Sequence, residues 1–468
     1  MVHLTESVSV DKESLVTSRA NKSAVLHRHL REDPRDLDHA EGHYLILQDG
    51  SRILDASGGA AVACVGHGNA RVNQAMVDQM ARVSYCASTF FRTPIVEEAA
   101  KILVDTTDGH MARAYFVQSG SEAMEAAMKL ARQYYLEKQV PEPQRARFIS
   151  RKQSYHGTTL GSLAMGGHVA RRDKFQPMLI DNISRVSPCY AYRGKLQDET
   201  DAQYVQRLAD ELEDEFQRVG ANTVCAFVAE PVVGAALGCV PAVPGYFQAV
   251  QAVCRRHGAL LILDEVMCGM GRSGTYHAWQ QEGVVPDIQT IGKGLGGGYQ
   301  PVAAVLVHKE VAQTLENGTG SFMHGHTYQA HTVGCAAVVA VQKIIQEEDL
   351  VSNVRAMGSL LEQKLRKSLG SHPNVGDIRG RGLFWGVEFV EDKLDKRPFP
   401  PAKQVAAKIN ELGLTKSYSI VVYPGSGTYD GWSGDHIIIA PPYTVTADDV
   451  ESIVQIISAL VNDFFATC

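Results

Sequence analysis

The chain of 468 residues has no C-x-x-C pair, no long run of Lys and Arg, and no apolar stretch near the ~18 residues of a membrane span. Its nine cysteines, an odd number, are scattered from Cys64 to Cys468 without zinc-ligand or disulfide spacing. Buried free thiols in a reducing compartment are therefore expected, and no metal site. The 45 basic and 52 acidic residues leave a net charge of −7, which argues against nucleic acid or an anionic membrane as the main partner. The first thirty residues hold Glu6, Asp11 and Glu13 and lack a hydrophobic core, so neither a signal nor a transit peptide is read there. Phe465-Ala466-Thr467-Cys468 is neither a prenylation box nor a peroxisomal tripeptide, and a cytoplasmic location is expected. No internal repeat or low-complexity tract appears.

What is abundant is glycine, 42 of 468 residues, about 9% where roughly 7% is usual. That excess suits tight turns and close backbone approach to a ligand. Apolar runs at 114–118, 224–229, 259–263, 287–291 and 302–307 alternate with helical patterns. The helix expected over 122–138 keeps Met124, Ala127, Met128, Ala131 and Tyr135 on one face. Pro244-Gly245 opens another, and Gly258 stops it. Such alternation predicts an α/β fold with a mostly parallel sheet covered on both faces. Longer helices at 332–347 and 354–369, strands near 382–390 and 436–440, and a capped helix at 446–465 follow. The expected organisation is a large domain at 60–330 and a smaller α+β domain built from 1–59 and 331–468. The polar stretch 188–201, with Tyr190 and Tyr192, is expected to be a surface excursion.

Three strand ends carry suggestive chemistry, and in an open α/β sheet ligands bind beyond the carboxyl ends of strands. Ser119-Gly120-Ser121 opens a helix whose free N–H groups and dipole suit a phosphate, although an ordinary N-cap has the same pattern. Asp264 emerges from five apolar residues, where an unpaired carboxylate is costly; a protonated ring nitrogen, backbone amides or an Arg would each satisfy it. Lys293 lies between two glycines and before Gly296-Gly297-Gly298, open to close approach, and a lysine acting as nucleophile or base needs desolvation or a neighbouring cation. An exposed loop lysine would show the same pattern. A phosphate cradle, an acid for a ring nitrogen and an aldehyde-capturing lysine together point to pyridoxal 5′-phosphate.

The stretches SGSEAMEAAMKLAR, SYHGTTLGSLAMGG, AEPVVGAALGCVPAVPGYF, LILDEVMCGMGRSG and DIQTIGKGLGGGYQPVAAV, in that order, resemble the class III (ω-) aminotransferases. The resemblance runs from about Asp49 through RGRGLFWGVEF and GDHIIIAPPYTVT to the last helix. It implies fold type I, the aspartate aminotransferase-like architecture. It also implies that Lys293 is the Schiff-base lysine and proton shuttle, that Asp264 keeps the pyridine nitrogen protonated, and that Gly120 and Ser121 bind the phosphate. Tyr155 and Val266 would press the two ring faces, Glu230 would lie at the substrate rim, and Thr327 would reach the phosphate of a neighbouring subunit in a homodimer.

The implied activity is ping-pong transfer of an amino group from an amine or ω-amino acid to a 2-oxo acid. An aminomutase, racemase or decarboxylase of the same family, or a non-catalytic cofactor-binding protein, are the alternatives. Two absences bear on substrate choice. Relatives acting on γ- or δ-amino acids often carry Arg where Thr158 stands, and many bring a mobile Arg from the loop before Gly434-Asp435-His436; here no Arg follows Arg397. Because only Arg offers a planar bidentate fork, a donor whose carboxylate is absent or distant is expected. Tyr85, Phe90, Phe91 and Trp432 would line its apolar pocket, with Arg92 as the candidate cation for the acceptor.

Overall fold

A computed structural model describes residues 23–467. Residues 1–22, where most of the segment read for targeting signals falls, and Cys468 lie outside the described residues. Seven strands form the central sheet, in the order Met111–Val117, Ala303–His308, Ile288–Ile291, Leu260–Asp264, Val224–Ala229, Arg147–Arg151, Ile183–Val186. The strands from Ile288–Ile291 onward are mutually parallel, and Ala303–His308 runs against both its neighbours. The reason lies in residue alternation. Leu260 and Ile262 join the core beneath the helix Gly120–Glu137, whereas Leu261 and Leu263 join the core beneath Asp201–Val219 and Tyr246–Arg256. A strand apolar on both faces needs cover on both, and each such side chain contributes about 1.5–3 kcal/mol when fully buried.

Local signals set the helix ends. Gly245 takes φ +92° just before Tyr246–Arg256, a left-handed conformation glycine adopts without a Cβ penalty. Thr446 accepts from the Asp449 N–H at 3.2 Å while the Asp449 carboxylate accepts from the Thr446 N–H at 2.8 Å, a capping box that starts Ala447–Ala466. The helix Leu350–Leu369 begins one turn before the expected 354.

The two ends of the chain meet: Ile420–Val421 extends the sheet of Leu37–Glu41, Tyr44–Leu47 and Arg52–Asp55, pairing in parallel with its last strand. A separate antiparallel sheet holds Val375–Arg381, Phe384–Phe389, Asp435–Ile439 and Tyr423–Ser426.

The stretch 188–201 is not a surface excursion in its first part. Cys189 and Tyr190 are buried, and the Tyr190 hydroxyl donates to the fully buried Glu388 of Phe384–Phe389. Glu388 also accepts from Arg193 Nε at 2.7 Å and Thr428 Oγ1 at 2.9 Å, and pairs with Arg379 at 2.6 Å. The polar composition of the stretch reflects a buried charge network rather than solvent.

Candidate active site

A cleft of about 350 Å³ opens beyond the carboxyl ends of the central strands. Lys293, Asp264, Glu230, Gly120, Ser121, Tyr155 and Val266 all line it, together with His156, Gly157, Met267 and Gln300.

Asp264 ends the strand Leu260–Asp264 and is 5% exposed. Its Oδ2 lies 2.7 Å from His156 Nδ1, and its Oδ1 accepts from Thr290 Oγ1 and the Val266 N–H, each at 3.1 Å. The carboxylate is thus held by three donors, one from the adjacent strand Ile288–Ile291. Its lines of support in the sequence were only partly visible: His156 and Thr290 lie 108 and 26 residues away. His156 Nε2 is buried without a partner among the described residues.

Lys293 follows Ile288–Ile291 through Gly292 and has φ +46°, uncommon for a residue with a Cβ. The turn is fixed from several sides. The Lys293 carbonyl accepts from the Gly297 N–H at 2.9 Å. The buried Gln342 donates to the carbonyls of Gly294 and Leu295 at 3.0 and 2.7 Å. A left-handed conformation costs on the order of 1–3 kcal/mol and persists only where the surroundings over-determine it, as at functional sites. Burial lowers the Lys293 pKa below its ordinary value, against the opposing pull of Asp264 and Glu230.

Glu230 is buried, and burial raises its pKa. Its carboxylate accepts from the N–H groups of Tyr155 and Gly234, each at 3.1 Å, so it fixes the backbone that carries the Tyr155 ring.

On the opposite side Ser119 caps Gly120–Glu137, its Oγ accepting from the Glu122 N–H at 3.2 Å. Ser121 Oγ accepts from the Thr158 N–H at 3.0 Å, tying the helix start to the Tyr155 loop. Gly157, at φ +130°, has no room for a Cβ, which would meet Ser121 Oγ and Ser162 Oγ at 2.5 Å. A Cβ on Gly120 would come within 2.8 Å of Val266 Cγ1.

These walls fit pyridoxal 5′-phosphate on the chemistry of their donors. A helix start free of bulky side chains suits the phosphate. A pinned carboxylate suits the ring nitrogen, and a desolvated amine suits the aldehyde. Tyr155 and Val266 supply faces for a flat ring.

The remaining expected residues are elsewhere. Thr327 is exposed and lies outside the lining of the cleft. Tyr85, Phe90, Phe91, Arg92 and Trp432 are also exposed and outside it. Tyr85 meets Tyr328 edge-on at 5.9 Å, so this aromatic run adjoins the Thr327 segment. Among the described residues no cluster of three or more metal-ligating side chains occurs, and no helix is long and apolar enough to cross a membrane.

The family model for aminotransferase class III matches residues 27–461. An aminotransferase of Gibberella zeae is 51% identical over 445 residues, covering 95% of this chain and 87% of its own. A diaminobutyrate–2-oxoglutarate transaminase of Halomonas elongata is 32% identical over 460 residues, covering 97% and 95%. Among solved structures, an amine transaminase from an uncultivated Pseudomonas species, in its PLP-bound form, superposes with a TM-score of 0.87 at 31% identity, covering 94% and 98%. The fold is that of the fold type I PLP transaminases, and the cleft of Lys293 and Asp264 lies beyond the carboxyl ends of the parallel strands, where open α/β sheets bind ligands. The chain belongs to the class III aminotransferases: it is a pyridoxal-phosphate-dependent transaminase.

Proposed function

We propose that Lys293 and Asp264 carry the transamination of an amine or ω-amino acid with a 2-oxo acid, the chemistry to which the family is suited. The observation behind the assignment is that a desolvated lysine and a triply held carboxylate stand at the ends of adjacent strands and line one cleft. When bound, pyridoxal 5′-phosphate supplies the electron-withdrawing ring and the carbonyl that takes up and returns the amino group. The chain's own residues do the rest. Lys293 Nζ, whose charged form burial disfavours, would hold the cofactor in the resting enzyme and move the proton at the substrate carbon. Asp264 keeps a negative charge at the cleft floor, and His156 and Thr290 fix its orientation. Gly120 and Ser121 take the phosphate at the helix start, Tyr155 and Val266 hold the ring between them, and Glu230 fixes the Tyr155 backbone.

The site is completed in a homodimer. Exposed Tyr85 packs against exposed Tyr328, next to Thr327, and exposed Phe90 and Phe91 follow Tyr85 in the chain; exposed aromatics of this kind are typical of an interface. Thr327 then serves the phosphate of the neighbouring subunit, while the aromatic run and Trp432 wall a donor pocket that lacks an arginine fork. The two-domain division at 60–330 is supported by the pairing of both chain ends in one small sheet. Among the described residues eight cysteines are free, seven of them buried, which fits a reducing cytoplasm.

Lys293→Ala is expected to abolish the visible absorbance of bound cofactor and to cut turnover by at least ~10²–10⁴-fold. Asp264→Ala in the same assay should keep the far-UV circular dichroism of the fold and lose about 1.5–3 kcal/mol of charge-assisted interaction. Full turnover in Lys293→Ala would end the assignment. The second reading, a mutase or decarboxylase, would be favoured if amine addition released no carbonyl product.

A further inference from the structure

Arg171 stands in the short helix Val169–Arg172, which follows the Tyr155 loop. Its guanidinium lies 4.8 Å from the centroid of the Tyr155 ring, and Tyr155 lines the cleft beside Lys293. It is half-buried, and among the described residues no carboxylate pairs with it. The adjacent Arg172 behaves differently. Arg172 donates to the Ala164 carbonyl at 2.8 Å and to Gln176 at 3.2 Å, and so is consumed in holding the turn. Two neighbouring arginines thus divide: one is tied to backbone, the other is stacked on the cleft wall with its donors free.

The charge of Arg171 is felt inside the cleft. Burial lowers the Lys293 pKa first, and Arg171 adds to that lowering; it also opposes the rise that burial gives the Tyr155 phenol. The loop 427–434 is seated on the same turn, since a Cβ at Gly431 would come within 2.5 Å of Val169 Cγ2. Gln153, two residues before Tyr155, donates to the Thr428 carbonyl at 2.9 Å. That loop contains Asp430 and no cation of its own; neither Arg92 nor Arg171 is part of the cleft lining itself, but Arg171 lies over the lining ring of Tyr155 whereas Arg92 is exposed.

The geometry points to Arg171 as the residue that receives the carboxylate of the 2-oxo acid acceptor, with the Tyr155 ring holding its guanidinium at the cleft wall. The inference rests on the transamination reading above. A planar fork with unspent donors gives a carboxylate two parallel hydrogen bonds, and an aromatic support limits the freedom it loses on binding. One fork accounts for one carboxylate, so a monocarboxylic 2-oxo acid such as pyruvate is the acceptor class it fits.

The test uses the holoenzyme with Arg171→Met, Arg171→Lys, Arg92→Ala and Arg28→Ala, the last because the Arg28 charge also bears on Tyr155. The pyruvate and amine half-reactions are followed separately, and the binding of propionate, an unreactive carboxylate, is measured by calorimetry. In Arg171→Met the KM for pyruvate should rise at least about 10-fold more than the KM for an apolar primary amine, and propionate should weaken in parallel. Arg171→Lys should recover only part of the loss. Unchanged pyruvate KM and propionate affinity would overturn the assignment. So would an equal loss in the amine half-reaction, which would mean a role through Tyr155 alone, or a pyruvate defect confined to Arg92→Ala or Arg28→Ala. Release of a carbonyl product from the amine by the unmutated enzyme checks the transamination reading separately.

Discussion

The floor and the rim of the cleft are built in opposite ways. Asp264, Glu230 and His156 on the floor are 5%, 4% and 3% exposed, each with its hydrogen bonds satisfied by residues of the same chain, apart from one imidazole nitrogen. Phe90 and Phe91, which the proposal above places at the rim, are 79% and 64% exposed, and Thr327 is exposed. The floor hangs from the ends of parallel strands whose positions are fixed by burial on both faces. The rim is made of loops that have no such frame. Preorganised charge belongs on the floor, where nothing needs to rearrange during reaction. On the reading proposed above, substrate choice and completion of the site fall to these exposed segments, with a second copy supplying the missing wall.

The largest expected effect tests what anchors the rim. Glu388 joins Tyr190, Arg193, Arg379 and Thr428, the last at the start of the loop that carries Trp432. Glu388→Gln takes its charged partner from half-buried Arg193 and leaves buried Arg379 with Asp377 alone, and breaking a buried pair typically costs about 3–5 kcal/mol. A clear fall in Tm, with faster amide exchange over 427–434 than over 260–264, would show that the rim loop depends on this network. Equal exchange in both regions would remove the distinction.

A smaller effect is expected from the aromatic run. Phe90→Asp combined with Phe91→Asp should halve the sedimenting mass and lower turnover about 10-fold or more, since charges in an apolar interface are strongly disfavoured. The floor should persist, seen as native circular dichroism. A fully active monomer would show that one chain completes the site.

The smallest effect distinguishes two adjacent carboxyls at the end of one strand. Asp264 faces the cleft, whereas Glu265 is buried away from it, accepting from the Ala278 and Trp279 N–H groups at 2.6 and 2.7 Å. Burial pushes the Glu265 pKa up to about 8 from the model-peptide value of 4.5. Between those two values the folded chain holds a proton that the unfolded chain has released, so stability falls as pH rises through that window. The slope from this one group is at most about 1.4 kcal/mol per pH unit. Glu265→Gln should flatten it, measured as Tm from pH 5 to 8. An unchanged slope would mean that Glu265 is ionised in the folded protein.

Much of the floor could be read along the chain, because strand ends announce themselves. Five apolar residues before Asp264 and the glycines around Lys293 are local patterns with a local physical cause. The partners of these residues were not legible in the same way. His156 was visible as part of a motif, but its contact with Asp264 spans 108 residues and exists only once the strands Arg147–Arg151 and Leu260–Asp264 are assembled on either side of Val224–Ala229. Gln342 carries no signal at all: a glutamine on an apolar helix has many possible uses, and only the packed helix shows it pinning the Lys293 turn. The stretch 188–201 misled because polar composition marks either solvent or a buried charge network, and composition does not distinguish them.

The sequence by itself determined the alternation of strands and helices, the caps, the strand-end positions of Ser121, Asp264 and Lys293, and, by resemblance, the cofactor. These follow from periodicity and from backbone preferences that act over a few residues. The tertiary structure alone decided which carboxylates are buried and by what they are held. It separated Arg171 from Arg172, and placed Arg92 and the aromatic run outside the cleft of one chain. Burial, desolvation and the pairing of charges depend on residues brought together from distant parts of the chain, and only the packed fold brings them there.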